Sequence, residues 1–356
     1  MWRFARTIFA LSVLLLCYLG CTPFKNNGYS LPKFAVKDQS DFDILGEELL
    51  GINSSVDLIP YKDWLILVAY NAENQEFLHI FNKKGKLIKT AIKKGRAPGE
   101  LLFAVNTSFD REQGIITFFD NIGGKTLAID ICLLVESERF EDAILAEYRE
   151  LHYPLLSRLT SRGRMDFNGV LPLGKDTGPR FVYNDFTTND TLTYEAYPAL
   201  LGDDLWDRFY LYGANTMMEM SPKGDKMAIC SRWCGILETF TIESGIEPIS
   251  TSYFVEPRYR GDRDGGGMDL KDDAVFAFTD IFAMDSLLYC GFDGESSPTT
   301  DRSMWFTKVA VFDWEGTPLK VIKTDKRIEQ ICVDEDGQVY ALVSGNSGEV
   351  YLAKLT

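Results

Sequence analysis

The feature that most constrains this chain is a unit that recurs along it. An apolar stretch of period-two alternation meets a glycine-tipped turn and is followed by a second such stretch. The unit occurs in Phe77–Ile92 around Lys84-Gly85 and in Met217–Cys230 around Lys223-Gly224. It returns in Val309–Val321 around Glu315-Gly316 and in Gln330–Val343 around Asp336-Gly337. Glycine supplies positive φ without a side-chain clash, so X-Gly between two apolar runs predicts a β-hairpin. Ser108–Asp120 and Thr279–Phe292 repeat the pattern around Gln113-Gly114 and Met284-Asp285. A lone hairpin cannot bury its apolar faces. Hairpins recurring over about 40–60 residues without intervening helices therefore predict radial β repetition, in which neighbouring sheets cover one another. At about 45–55 residues per four-stranded blade, this length gives six blades, with seven possible. The expected fold class is all-β, a six-bladed β-propeller over residues 33–356. Its ring would close by pairing Glu349–Leu355 with an outer strand from Lys33–Asp38 or Phe42–Glu47.

One segment departs from this pattern. Within Ser137–Leu159, Phe140, Ile144, Leu145, Tyr148 and Leu151 fall at helical spacing, with Ser137 placed to cap. The spacing predicts a short helical insertion near 137–159.

The N-terminus reads as a leader. Arg3 and Arg6 precede the apolar run Thr7–Gly20. As a helix that run spans roughly 21 Å, short of the ~30 Å bilayer core, so residues 1–20 are expected to be a secretory signal. Leu19-Gly20-Cys21 resembles a bacterial lipobox, although Tyr18 stands where that pattern prefers leucine. The resemblance implies cleavage before Cys21 and lipidation of its thiol. The alternative is ordinary cleavage nearby with Cys21 unmodified. Several acyl chains, at ~0.8 kcal/mol per buried methylene, would make Cys21 a stable membrane anchor. Residues 21–32, polar with Gly and Pro, are expected to be a flexible tether.

The formal charge of −15 argues against nucleic acid, whose phosphates would be repelled, and no basic run offsets it. Of seven cysteines, Cys17 lies in the leader and Cys21 is assigned to lipid. The remaining Cys132, Cys230, Cys234, Cys290 and Cys332 are odd in number and sit mostly in apolar runs, so buried free thiols are expected. Cys230 and Cys234, four apart, would share one face of an extended strand. Only His79 and His152 exist and neither neighbours a cysteine, so no metal site and no cofactor is expected.

Candidate chemistry is sparse. Arg96 and Glu100 could set opposite charges at a blade junction as a ligand site, or simply belong to a tight loop built on Pro98-Gly99. Gly169–Thr177 has the glycine and lysine spacing of a phosphate loop, but Asp176 replaces the hydroxyl residue and Pro172 interrupts it. Tyr259–Asp273 is rich in Asp and Gly, yet Gly266 and Asp273 miss the ligand pattern of a calcium loop. No nucleophile elbow or zinc-protease motif is present, so no catalytic residue is assigned. Carboxylates such as Asp185, Asp190 and Asp203–Asp204 are what any acidic chain offers a glycosidase. Trp206, Trp233, Trp305 and Trp314 read as blade core rather than a sugar-stacking platform.

The lipobox followed by repeats resembles the TolB-like six-bladed propeller lipoproteins of Bacteroidetes. Lys93–Phe103, Ser221–Ala228, Gly235–Gly245, Val311–Ile322 and Val333–Leu342 carry the likeness, which is weakest from about 132 to 205. It implies a cell-envelope location and carries no settled reaction, since propellers host many functions. The expectation is a monomeric, non-enzymatic scaffold, anchored through Cys21 and binding an envelope protein or small ligand at one channel mouth. The alternative is a hydrolase or lyase acting on carbohydrate or a lactone, which needs Asp, Glu, Arg or His side chains converging there. The lack of acidic residues just after Cys21 favours a periplasm-facing anchor over the cell surface.

Overall fold

The computed structural model describes residues 29–356 except 105, 150–153, 169–177, 199–215, 263–266, 272, 297–304 and 346. The leader, Cys21, the glycine–lysine loop at 169–177 and Asp203–Asp204 lie outside the described residues. Two short strands come first, β1 (Val36–Gln39) and β2 (Phe42–Leu45). The first sheet is β3 (Ile52–Tyr61), β4 (Trp64–Asn71), β5 (Glu76–Asn82) and β6 (Leu87–Lys93). The second is β7 (Thr107–Asp110), β8 (Ile115–Asp120), β9 (Lys125–Asp130) and β10 (Ile144–Arg149). The third is β11 (Leu156–Leu159), β12 (Gly163–Phe167), β13 (Phe181–Asp185) and β14 (Thr191–Tyr194). The fourth is β15 (Thr216–Met220), β16 (Lys226–Ser231), β17 (Ile236–Ile242) and β18 (Ile246–Tyr253). A two-stranded ribbon follows, β19 (Tyr259–Asp262) and β20 (Gly267–Leu270). The chain ends with β21 (Val275–Ala283), β22 (Leu287–Ser296), β23 (Phe306–Asp313), β24 (Pro318–Val333), β25 (Val339–Ser344) and β26 (Val350–Leu355).

Each of the first four sheets is an antiparallel meander, and every repeat read from the sequence forms a hairpin. The last strands form one eight-stranded sheet in the order β2-β26-β25-β24-β23-β22-β21, with β1 parallel to β24. The first strands of the first four sheets and strands β21 and β24 of the last touch in a closed cycle, β3 to β7, β11, β15, β21, β24 and back to β3. The architecture is a β-propeller.

Both terminal segments are paired. Phe42 stands opposite Leu355 and Leu45 opposite Leu352, so the second of the two expected N-terminal strands lies beside the C-terminal one. Lys33–Asp38 goes elsewhere, its strand β1 lying along Lys320–Lys323 of β24. The tether is shorter than expected. Ser30 donates its N–H to the Tyr253 carbonyl and Tyr29 packs edge-on against the Tyr253 ring, so the chain docks on β18 before residue 32.

The expected helical insertion is also largely replaced. A short helix α1 (Ile131–Glu136) precedes it, capped by Asp130, whose Oδ1 accepts the Leu133 N–H. Within 137–159 one 3-10 turn, Phe140–Ala143, is helical, and β10 and β11 take up much of the rest. Leu145 and Tyr148 face solvent, so their helical spacing reflects no buried face.

Apolar clusters lie between neighbouring sheets. One joins Leu58, Leu65 and Leu67 of the first sheet to Leu342 and Leu352 of the last. Others join the first to the second, the third to the fourth, and the fourth to β21–β23. Each fully buried Leu, Ile or Phe contributes about 1.5–3 kcal/mol. Among the described residues no such cluster joins the second sheet to the third. That seam is polar. Ser157 donates its N–H to Asn106 Oδ1, Ser108 Oγ donates to the Leu159 carbonyl, and the Arg164 guanidinium lies over the Phe119 ring.

Two glycines meet where β2 ends against the β5–β6 hairpin. Gly85 (φ 80°) would place a Cβ 2.5 Å from the Leu45 carbonyl oxygen, against backbone that cannot yield. Gly337 has the same φ, with nothing within 4 Å of its Cβ position. Gly85→Ala is expected to destabilise by about 2–3 kcal/mol and Gly337→Ala by about 1–2 kcal/mol, the left-handed penalty alone. Urea unfolding of the two variants measures the difference. Equal midpoints would show that the close approach is relieved by rearrangement.

Candidate functional site

The first strand of each sheet lies on the propeller axis, and several break their apolar pattern with one charged residue. These are Asp57 in β3, Arg158 in β11, Glu219 in β15 and Asp280 in β21, joined by Arg111 immediately after β7. Hydrogen bonds stitch the strands together through them. Thr107 Oγ1 donates to Asp57 Oδ2 at 3.1 Å. Arg158 donates from Nη1 to the Thr107 carbonyl and from Nε to Glu219 Oε1, both at 2.9 Å. Asp280 Oδ2 accepts the Ile331 N–H at 2.7 Å, bridging β21 to β24.

Asp57, Arg111, Arg158 and Glu219 line one solvent-open cavity of about 40 Å3, walled by Ile59, Phe109 and Phe282. All four charged side chains are half-buried. Desolvation raises the Asp57 and Glu219 carboxyls above their ordinary range, opposed by Arg158 and Arg111. Asp280 is pushed up to about 8 by burial, with the charges of Asp57 and Glu219 adding to it. Desolvation lowers Arg111. Its guanidinium lies 4.4 Å from the Phe282 ring centroid, and Nη1 is 3.7 Å from Met284 Sδ.

The folded protein holds the Asp280 proton more tightly than an unfolded chain, whose carboxyl titrates near 3.8. Folding therefore takes up a proton between about pH 4 and pH 8, and stability falls as pH rises through that window. Asp280→Asn removes this dependence, and its single amide oxygen keeps one of the two acceptors used by the Ile331 and Ile281 N–H groups. Between about pH 4 and pH 8 the variant's melting temperature is expected to fall less steeply than the parent's. Part of the slope should persist, because Asp57 and Glu219 act in the same sense. A parent and variant with parallel melting profiles would refute the assignment.

The residues singled out in the sequence lie elsewhere. Arg96 is exposed in the loop between the first and second sheets, and Glu100 Oε2 accepts the Ala97 N–H within that loop. Lys125 Nζ donates to the carbonyls of Ala97 and Glu100, and Gly99 donates to Glu147, so the loop is laced to β9–β10. Neither Arg96 nor Glu100 lines the channel cavity. Asp185 accepts the Thr187 and Thr188 N–H groups at a turn. The acidic run Tyr259–Asp273 contains the β19–β20 ribbon, with 263–266 and 272 outside the described residues. No cluster of three metal-ligating side chains occurs among the described residues. Trp314 is buried and donates to the Met284 carbonyl, while Trp233 packs in the core between the third and fourth sheets and Trp305 lies under Arg327. These three form no shared platform, and Trp206 lies outside the described residues.

All five described cysteines are free thiols. Cys230 and Cys234 do not share a strand face. Cys234 sits in the turn before β17, and the two enter different clusters. Cys132 is in α1 rather than a strand and is half-exposed, with the Lys62 ammonium 3.0 Å from its sulfur. Burial pushes Cys234 up to about 12 and raises Cys230, Cys290 and Cys332 strongly. Iodoacetamide should therefore alkylate native Cys132 at least ~10-fold faster than these four, as read by peptide mass mapping. Comparable labelling of any buried thiol would contradict the packing described.

No known family profile matches the sequence, and no curated protein is similar to it. Solved structures share the fold. A member of the DUF4221 family from Bacteroides vulgatus aligns with TM-score 0.57 and 12% identity, covering 90% of this chain and 97% of that one. A Bacteroides fragilis protein described as exported aligns with TM-score 0.56 and 13% identity, covering 90% and 98%. The WD40 repeats of RRP9 align at 0.51 with 10% identity, covering 91% and 100%. At these identities the likeness is one of β-propeller fold. No described helix is long and apolar enough to cross a membrane.

Proposed function

We propose that this chain is a six-bladed β-propeller of the cell envelope that binds a small polar ligand at one mouth of its channel without turning it over. The eight-stranded sheet counts as two blades sharing β24, one of them completed by β2, which fits the closed cycle of six strands. The envelope address draws on the leader, the lipobox-like Cys21 and the exported Bacteroides fragilis relative in fold. A single ring tethered through acylated Cys21, facing the periplasm and akin to the TolB-like lipoproteins, completes the reading.

The observation that carries it is the meeting of Asp57, Arg111, Arg158 and Glu219 in one cavity, each brought by a different sheet. Burying such charges is costly, and packing alone gives no reason for them. Differential scanning fluorimetry of the purified chain against a panel of small charged metabolites tests this. A ligand should raise the Tm of the parent and lose its effect on Arg158→Ala. A panel without any Arg158-dependent shift would sink the reading.

Asp280 favours a second reading, hydrolase or lyase, because a carboxyl protonated near neutrality can serve as a general acid. Turnover of aryl glycosides or lactones, lost in Asp280→Asn, would establish it. An Asp280→Asn variant as active as the parent would remove it.

A further inference from the structure

Resting on the binding reading above, we infer that the channel mouth recognises the head group of a free α-amino acid. Two charges of opposite sign line the same cavity and do not pair. Among the described residues neither Asp57 nor Arg111 has an oppositely charged side chain within 4.0 Å. Their neighbours behave otherwise, since Arg158 reaches Glu219 at 2.9 Å. Asp57 takes the Thr107 hydroxyl and the Leu58 N–H, Arg111 rests on the Phe282 face and a thioether, and the two charges attract one another across the cavity without direct contact. Each satisfies part of its hydrogen-bonding capacity with neutral groups, which leaves a cation and an anion facing one small volume.

A ligand that fits must offer an anion to Arg111 and a cation to Asp57 over a short span. A carboxylate matches the planar guanidinium fork in two parallel bonds, and an ammonium matches the carboxylate. A simple anion would gain Arg111 and meet the repulsion of Asp57 and Glu219. A simple cation would meet Arg111 and Arg158. A zwitterion satisfies both ends. The volume limits its size, because about 40 Å3 holds roughly three water molecules. That suits two charged groups on one carbon, with the rest of the ligand directed out of the open mouth along Ile59, Phe109 and Phe282. A peptide carries its charged ends on different residues and cannot present both here. The side chain expected is therefore apolar.

Isothermal titration of the purified full chain tests the inference with L-leucine, L-methionine and L-phenylalanine. Each is compared with its amide, which lacks the carboxylate, and its des-amino acid, which lacks the ammonium. At least one free amino acid should bind, with both of its analogues about 10–100-fold weaker. Arg111→Met should weaken the amino acid and the des-amino acid but leave the amide unchanged. Asp57→Asn should weaken the amino acid and the amide but spare the des-amino acid. Circular dichroism melts confirm that both variants are folded. If no free amino acid binds, or a singly charged analogue binds as tightly, the inference falls. An Arg158-dependent metabolite from the wider panel would in that case leave the binding reading standing.

Discussion

Replacing Glu238 by leucine is expected to lower stability by about 3–5 kcal/mol. The Arg180 side chain is 0% exposed and that of Glu238 4%. The guanidinium donates to both Glu238 oxygens and to the Ala196 carbonyl, and it lies between the rings of Phe181 and Tyr197. Burial raises the Glu238 carboxyl while Arg180 holds it down, so the ionised form depends on its partner. Removing Glu238 takes from the buried Arg180 guanidinium the carboxylate that offsets its desolvation, and removing Arg180 does the same to Glu238. The double variant Arg180→Met, Glu238→Leu removes both charges and should recover most of the loss. Urea unfolding of the four proteins gives the coupling directly. A single variant within 1 kcal/mol of the parent would mean that solvent enters the third and fourth sheets' shared core.

The second large effect is at the chain's beginning. Phe42→Ala is expected to cost about 3–5 kcal/mol, because the ring is buried in the core shared by the first and last sheets. Ile44, two residues on in β2, is 44% exposed, and Ile44→Ala should change stability by less than about 1 kcal/mol. Urea midpoints of the two separate anchoring from strand pairing. Deleting residues up to Gly46 removes β1 and β2 together, and should unfold the chain at temperatures the parent survives. Should that deletion melt with the parent, the N-terminal strands would be ornament.

Much of this architecture was legible because a hairpin is local. Glycine at 85, 224, 316 and 337 marks four turns, each with positive φ. A second local signal lies in the residue that closes several of the strands. Asn82, Asp110, Asp120 and Asp334 each accept N–H groups two to four residues ahead, so an Asp or Asn closes the strand before its turn. The channel charges were hidden for the opposite reason. Asp57, Arg158, Glu219 and Asp280 are distant in sequence, and only closure of the fold brings them together. Their trace was a lone charge inside an apolar strand, as in Val56-Asp57-Leu58 and Met218-Glu219-Met220. The segment Ile144–Arg149 misled because its helical spacing is overridden by pairing to β9, which satisfies its backbone at the sheet's outer edge.

The joint between the second and third sheets has a mechanical consequence. Water substitutes for a hydrogen bond at little loss, whereas wetting an oily interface is steeply unfavourable. Denaturant or tension should thus part the molecule at this clasp first, while the flanking arcs stay sealed. The amides of Ser157 and Leu159 would then exchange with deuterium ahead of those in β4 or β17, marking where the circle is fastened rather than fused.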